Sequence, residues 1–322
     1  VTANEFAFTT VAGGGTVGIT GTGFIGTALA RWLRAAGVAV RGVDLHPNPT
    51  WEAVDAATMV GDITNADDMA AFCAGLDTVV HTAALVAESG DLAVFEAANV
   101  DGPVTVATAA RAAGVRRFVH LSSVMVYGFD YPDGITEDGP TDGAGNPYCI
   151  TKIASEKAVL ALHDPGVFDV FIIRPGDVYG PGSVPWIVRP WEAMQAGLWA
   201  TIGAEVEPVI NHVYIDNLLD GIATVVASGR SGEPFVITDQ RRTTTMEFYG
   251  HMLGWLGIDE VASVSAADAV ALGLDPEAVR YLTRRGTYSA DKVASLGYHP
   301  RVSLDEGMAR TRAWLESRPP TS

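Results

Sequence analysis

Thr16-Val-Gly-Ile-Thr20, Gly21-Thr-Gly23-Phe-Ile-Gly26 and Val38-Ala-Val-Arg-Gly-Val43-Asp44 decide the fold of this 322-residue chain. The first stretch is a short apolar strand that runs into a glycine turn. A helix follows over Phe24 to Ala36 and stops at Gly37, and the third stretch is a second strand rich in β-branched residues. Together they make one βαβ unit. The pattern recurs, with strands expected near Thr58-Met-Val60, Thr78-Val-Val-His81, Arg117-Phe-Val-His-Leu121 and Val170-Phe-Ile-Ile173, separated by alanine-rich helical stretches. Strands alternating with helices imply an α/β fold built on a doubly wound parallel sheet.

Beyond Pro175 the texture changes. Pro181, Pro185 and Pro190 punctuate the chain, and Trp186, Trp191 and Trp199 crowd together. A smaller C-terminal lobe is expected to begin here. The chain is expected to revisit the sheet at His212-Val-Tyr-Ile215 and at Pro234-Phe-Val-Ile237, which makes that lobe discontinuous. The expected organisation is a loose extension over 1–15, a nucleotide-binding domain over 16–180 with sheet returns near 211–228 and 233–237, and a substrate lobe over 181–210 and 238–317. The extension contains Glu5 and lacks both a basic start and a sustained apolar run, so it does not read as a signal peptide. Arg318-Pro-Pro-Thr-Ser322 reads as a frayed end.

Acidic residues number 38 against 21 basic, a net charge of −17 that has the wrong sign for a nucleic-acid backbone or an anionic membrane surface. Neither is expected as a partner. Hydrophobic residues make up 48% of the chain, yet no unbroken apolar run approaches the ~20 residues that span a bilayer. Cys73 and Cys149 stand far apart and outside any C-x-x-C pair, which fits a reducing, cytoplasmic location. None of the seven histidines falls in an H-x-x-x-H or H-x-H pattern, so no metal is expected.

The glycine turn follows a strand and opens a helix, the context in which G-x-G-x-x-G points to a dinucleotide. Gly21 allows the tight turn, Gly23 lets the backbone approach a pyrophosphate, and Gly26 lets the helix pack closely. The anion then meets a helix N-terminus. Asp44 ends the second strand 18 residues past Gly26, near the ~20 at which a carboxylate grips the adenosine ribose. A carboxylate there favours NAD over NADP, with Arg41 and His46 as the nearby cations that would pull the other way. Asp62, at the end of the third strand, is a further candidate, for the adenine.

Tyr148-Cys-Ile-Thr-Lys152 puts a phenol and an ammonium at i and i+4 on a helix that follows Asn146-Pro147. A lysine cation, added to an oxidised nicotinamide, would stabilise the phenolate, so that Tyr148 could take a proton from an alcohol. The strand Phe118-Val-His-Leu121 runs into Ser122-Ser123, delivering hydroxyls to the C-terminal edge of the sheet, where such folds bind ligands.

On these motifs the chain resembles the extended short-chain dehydrogenases/reductases, the NAD-dependent epimerase/dehydratase superfamily, with its Rossmann-type sheet. The resemblance runs over roughly 16–310 and is carried in register by Gly21-x-Gly-Phe-Ile-Gly26, Val80-His-Thr-Ala-Ala84, Asn99-Val-Asp-Gly102, Leu121-Ser-Ser-Val-Met-Val-Tyr-Gly128, Ile135-Thr-Glu-Asp138, Tyr148-x-x-x-Lys152 with Glu156, Arg174-Pro-x-x-Val-Tyr-Gly-Pro-Gly182, and Tyr-Ile-Asp216. It implies Tyr148 as acid/base, Lys152 as its electrostatic partner and ribose anchor, Ser123 as the donor that polarises the substrate oxygen, and Asn99 as support. It also implies NAD contacts from Phe24, Ile25, Ile63, Thr82, Ala83, Ala84 and Pro175. A homodimer through the helices near Phe95 to Ala113 and Pro147 to His163 is implied too.

Two departures stand out. The family's turn usually has one more residue between its first two glycines than Gly21-Thr-Gly23. The sugar 4,6-dehydratases carry Asp-Glu where this chain has Val124 and Met125, which argues against dehydration. In the smaller lobe, Ile210 and Asn211 replace the Arg-Asp pair with which nucleotide-sugar epimerases hold a diphosphate, leaving Arg189, Arg241 or Arg242 to substitute. Asn211-His-Val-Tyr-Ile-Asp-Asn217 is instead similar to the 3β-hydroxysteroid dehydrogenase branch. Trp186, Trp191, Met194 and Trp199 would suit an apolar pocket, although Trp191 and Met194 have the i, i+3 spacing of a core. The expected activity is NAD-dependent interconversion of a secondary alcohol and ketone on a fairly apolar, ring-type (sterol-like) small molecule. The alternative is a nucleotide-sugar 4-epimerase using the same Ser-Tyr-Lys site; a non-catalytic dinucleotide sensor conflicts with the intact Tyr148 and Lys152.

Overall fold

The computed structural model describes residues 15–87, 89–203 and 207–318. All but the last residue of the extension expected over 1–15 lies outside the described residues, as do residues 319–322 of the tail. The centre is a seven-stranded, wholly parallel sheet. Its strands are β1 (Thr16–Thr20), β2 (Val40–Asp44), β3 (Ala57–Val60), β4 (Leu76–His81), β5 (Arg117–Leu121), β6 (Asp169–Pro175) and β9 (Pro234–Ile237). They lie side by side in the order β3-β2-β1-β4-β5-β6-β9, so the winding reverses between β1 and β4. This is the Rossmann arrangement, and ligands of such sheets bind in the crevice beyond the strand ends at that reversal.

Both faces of the sheet are covered, which is why its strands read as near-continuous apolar runs. On one face α1 (Phe24–Ala35) and α5 (Ile215–Ser228) bury Leu29, Leu33, Leu218 and Ile222 against Val17, Ile19 and Val119. On the other, α2 (Ala66–Cys73) and α3 (Gly102–Ala112) set Phe72, Val106 and Ala110 against Val79, Phe118 and Val170. Among the described residues no helix is long and apolar enough to cross a membrane.

The two expected returns of the chain differ in kind. Pro234–Ile237 joins the central sheet beside β6. His212–Tyr214 (β8) pairs instead with β7 (Asp177–Tyr179) in a separate two-stranded parallel sheet, Asp177 opposite His212 and Tyr179 opposite Tyr214. The physical reason is occupancy: β9 already fills the place beside β6, so β8 pairs with the chain after it has left the central sheet at Gly176. The remaining elements needed below are α4 (Pro147–Leu160), α6 (Thr245–Leu256), α7 (Pro276–Leu282) and α8 (Leu304–Ser317).

Candidate active site

The glycine turn is built as its residues require. Gly21 has φ +85°, a conformation L side chains rarely adopt, and a Cβ there would stand 2.7 Å from the Ala83 nitrogen. At Gly26 a Cβ would overlap the Gly21 carbonyl oxygen, so the first turn of α1 sits directly on the loop. Position 23 is the opposite: a Cβ would meet nothing. Gly23 caps α1 without a side-chain hydrogen bond, and among the described residues no acid stands in the first turn. The amides of that turn are therefore left to an anion.

Asp44 is tied into this loop. Its Oδ2 accepts from the Thr22 amide (2.6 Å) and hydroxyl (3.0 Å), and its Oδ1 accepts from the Leu45 amide (2.8 Å). The rival cation Arg41 points elsewhere, donating from Nη1 to the carbonyls of Phe72 and Ala74, both 2.9 Å away. Thr82 Oγ1 bonds the Thr20 and Gly21 carbonyls at 2.9 Å and so joins the end of β4 to the turn. Asp62 folds over its own loop, accepting from the Thr64 amide and hydroxyl at 2.8 Å. Ile63 packs against the α2–α3 core.

Helix α4 is placed by two devices. Asn146 accepts from the amides of Tyr148 (3.0 Å) and Cys149 (3.2 Å), with Pro147 in the first turn, the N-terminal signature that fixes where a helix begins. Further along, Glu156 grips the Arg174 guanidinium of β6 through bonds of 2.9 and 2.7 Å, and Arg174 also donates to the Tyr127 hydroxyl (2.8 Å). This clamp holds α4 across the sheet edge. Tyr148 and Lys152 then face the end of β5, where Ser123 Oγ accepts from the Met125 amide (3.1 Å).

Ser123 and Tyr148 line the same cavity. Burial pushes the Tyr148 phenol up to about 12, with the nearby Ser123 hydroxyl pulling it down. The Lys152 ammonium, drawn down to about 8 by burial against the opposing pull of Glu156, stands 5.7 Å from the Tyr148 ring centre and donates to the Leu121 carbonyl (2.9 Å) rather than to the phenol. Beneath it His81 and His120 stack at 5.4 Å. Burial first, then the Lys152 charge, lowers His81 to about 3 and His120 well below the ordinary range. Both are packed, uncharged residues, as their strand positions predict.

Asn99 sits in a π turn, Ala97–Asp101, and its amide group closes a ring with Leu85, accepting from its nitrogen (2.8 Å) and donating to its oxygen (3.0 Å). It also reaches Thr151 Oγ1 (3.3 Å) in α4. Asn99 thus positions the loop after β4 without lining the cavity.

A cavity of about 450 Å³ brings Ser123, Tyr148 and Lys152 together with Phe24, Ile25, Thr82, Ala84 and Pro175. Gly21, Gly23, Gly26, Asp44, Asp62, Ile63, Ala83 and Asn99 lie outside its lining. Ser122, read with Ser123 at this sheet edge, lines the cavity too, whereas Glu277 and Tyr281 escaped the sequence reading. Ser122 Oγ is buried and, among the described residues, has no hydrogen-bond partner. Glu277 accepts from Arg280 Nη1 (3.1 Å) and Asn146 Nδ2 (3.3 Å), so its charge is compensated. Tyr281 donates to Asp177 Oδ1 (2.8 Å), and the fully buried Arg284 bonds the same carboxylate at 3.0 and 3.1 Å while lying 3.9 Å over the Tyr281 ring. Only the Asn146-Pro147 cap left a sequence signal. The Asp177–Arg284 pair spans 107 residues and leaves none.

Of the aromatic cluster, Trp186 lines the cavity, Met194 is core, and Trp191 packs on Trp255 at 6.1 Å. Among the three substitute arginines, Arg189 reaches the cavity wall, whereas Arg241 pairs with Glu247 and Arg242 with Asp133. The motif Asn211–Asn217 is architectural. His212 bonds Asp239 and Thr243 at 2.9 Å each, and Asn217 bonds Asp239, Arg301 and Val302.

The model of the NAD-dependent epimerase/dehydratase family matches residues 17–238. The chain belongs to this family. A 3-beta-hydroxysteroid dehydrogenase of Mycolicibacterium neoaurum is 31% identical, over 90% of this chain and 88% of that protein. A UDP-glucose 4-epimerase of Mycolicibacterium smegmatis is 29% identical, over 92% and 96%. Among solved structures, a dTDP-glucose 4,6-dehydratase from Streptomyces venezuelae with NAD bound superposes with a TM-score of 0.80 at 30% identity, covering 94% of this chain and 97% of that one. This epimerase/dehydratase-family chain is an NAD-dependent oxidoreductase. Its residues fit the cofactor: the open position at Gly23, the uncapped first turn of α1 and the carboxylate at Asp44 suit a dinucleotide.

Proposed function

We propose that the protein interconverts a secondary alcohol and a ketone on an apolar, ring-type substrate, with Tyr148 as the acid/base. The observation that carries this reading is the company the reactive groups keep in the cavity. Ser123, Tyr148 and Lys152 line it together with Val86, Met125, Phe129, Val184, Trp186 and Tyr281, and Tyr148 packs in one cluster with Met125, Phe129 and Tyr281. Such walls suit a flat, carbon-rich molecule, with few polar groups to fix its orientation. Met125 lies where a dehydratase would carry an acid, and the steroid dehydrogenase relative adds its support.

NAD supplies the hydride donor or acceptor at its nicotinamide C4. In the reductive direction Tyr148, protonated at neutral pH because burial holds it near 12, gives its proton to the carbonyl oxygen as the carbon accepts hydride. Ser123 lines the same cavity and has one hydroxyl proton, which it can donate to the substrate oxygen. Lys152 keeps a positive charge beside the ring and fixes the end of β5. In the oxidative direction Tyr148 takes the alcohol's proton in its phenolate form, so this direction is favoured at alkaline pH.

The second reading, a nucleotide-sugar 4-epimerase, draws on the epimerase relative and on Arg189 at the wall. Net redox change separates the two. Purified protein given NAD and cyclohexanol-type secondary alcohols is expected to accumulate NADH, and Tyr148→Phe is expected to lose ~10²–10⁴-fold in turnover while still binding NAD. Epimerised UDP-glucose without NADH accumulation would favour the second reading, and a Tyr148→Phe loss below tenfold would remove Tyr148 from the chemistry. We also infer a homodimer through the helices near 95–113 and 147–163. Leu92 and Val94, apolar and exposed beside the first of them, support it; a monomer in sedimentation at micromolar concentration would contradict it.

A further inference from the structure

The cavity beside Tyr148 shares a wall with a second hollow of about 300 Å³. Pro185, Trp186, Arg189 and Tyr281 border both. Beyond them the second hollow, half-open to solvent, is lined by Pro190, Ala193, Trp199, Ile202, Tyr249 and the exposed Leu282, contributed by the chain that follows β7, by α6 and by α7. Among the described residues, Arg189 is the one charged side chain of this lining.

Protein interiors pack closely, and a hollow lined by large aromatic groups would ordinarily be filled by their collapse. Here the partition is held open from behind. Tyr281 cannot swing into the gap because Asp177 accepts its hydroxyl proton at 2.8 Å and Arg284 covers its ring at 3.9 Å. On the far side Tyr249 and Trp199 brace each other edge to face at 5.3 Å. Trp186 meets Tyr281 at 5.6 Å and belongs to a π turn, Val184–Val188, a winding frequent at functional sites. A polar ligand would lose its water in this second hollow without matching partners along most of the wall.

We propose that the two hollows are one substrate site and that the smaller one receives a flexible alkyl extension of the molecule whose oxygen-bearing ring carbon stands beside Tyr148. This rests on the alcohol–ketone reading above and adds the substrate class: a compact oxygenated head joined to a hydrocarbon tail that passes the Trp186–Tyr281 edge. Trp199, Tyr249 and Leu282 select for the tail, and the Ser123–Tyr148 pair acts on the head.

The test is kcat/KM with NAD for a series of 4-alkylcyclohexanols whose tails run from one carbon to ten, measured on the full chain and on Ala193→Phe, which fills the smaller hollow. Burying each methylene is expected to raise kcat/KM about three- to fourfold until the hollow is full, after which the rise stops. In Ala193→Phe the ratio of the octyl to the methyl compound is expected to collapse toward one. Ala278→Leu, a smaller filling of the same hollow from α7, is expected to lower that ratio in the same sense if the phenylalanine variant does not fold. Oxidation of every alcohol with no dependence on tail length would overturn the tail site and leave the alcohol–ketone reading standing, as would an unchanged ratio in the filled variants. Competition by micromolar UDP against the octyl alcohol would overturn it too, by assigning the smaller hollow to a nucleotide. Failure of all the alcohols together with epimerisation of UDP-glucose would instead remove the underlying reading.

Discussion

Replacing Lys152 with methionine should change the stability of the cofactor-free protein in a way that depends on pH. Lys152 is 3% exposed, and burial lowers its ammonium from 10.5 to about 8 despite the pull of Glu156. A base held below its unfolded value weakens the fold wherever the unfolded chain carries more protons than the folded one. Well below pH 8 both states are charged and the full penalty stands, about 3 kcal/mol at ~1.4 kcal/mol for each pH unit of displacement. From pH 8 to 10.5 the folded protein gives up its proton first and the penalty fades, to about 1 kcal/mol near pH 10. Methionine has similar length and no charge, so the variant is free of this penalty throughout. It forfeits the bond to the Leu121 carbonyl, roughly 1 kcal/mol at any pH. The buried tyrosines titrate alike in both proteins and cancel in the difference. The stability of Lys152→Met minus that of the parent should therefore fall by about 2 kcal/mol between pH 7 and pH 10. Urea unfolding followed by tryptophan fluorescence at each pH measures it, and a difference that is flat or grows with pH refutes the reasoning.

Three further outcomes are expected. Ser123→Ala removes the hydroxyl that lowers the Tyr148 phenol, so the rise of the oxidation rate with pH should move to higher pH, whereas Ser122→Ala should leave that rise in place. The reverse result would exchange their roles. Asp44→Ala should relax a preference for NAD over NADP, since a carboxylate ~4 Å from the extra phosphate opposes it by about 4 kcal/mol at a protein-surface dielectric, and should also loosen the glycine turn that Thr22 ties to it. Equal kcat/KM for the two cofactors in the parent would contradict the assignment. Arg284→Ala strands the Asp177 carboxylate in the interior and should destabilise by about 3–5 kcal/mol in urea unfolding, while the paired change Asp177→Asn with Arg284→Met should recover much of the loss.

What the sequence made legible was whatever depends on neighbours along the chain. The βαβ alternation, the turn Gly21–Gly26 and the Tyr148–Lys152 spacing are local patterns, and the structure puts them at the β1–β4 reversal and on α4 beside it. The Asn146-Pro147 cap is of the same kind. The cavity walls are different. Val86, Phe129, Trp186 and Tyr281 come from four separated segments, and nothing in their immediate sequence says that they meet. Asp177, Arg284 and Tyr281 form one buried network in which Asp177 lies more than a hundred residues from the other two. The return at His212–Tyr214 was legible as a strand but not as a partner of β7, because which strand is already flanked is decided by the whole topology. The motif at Asn211–Asn217 carried a family likeness, yet its side chains hold β8, Asp239 and Val302 together and do not face the cavity.

The imidazoles stacked beneath Lys152 amount to an electrometer built into the floor of the site. With His81 near 3 and His120 well below the ordinary imidazole range, neither ring takes up a proton in the range where the enzyme would be assayed, and the nearby ammonium is among the causes that keep them so. Their ring carbon resonances should therefore stay level through mildly acidic pH and then drift together around pH 8, as Lys152 loses its charge. The histidines would thus display the titration of a neighbour rather than their own, and would show how a bound cofactor moves it, with no label and no substitution in the site itself.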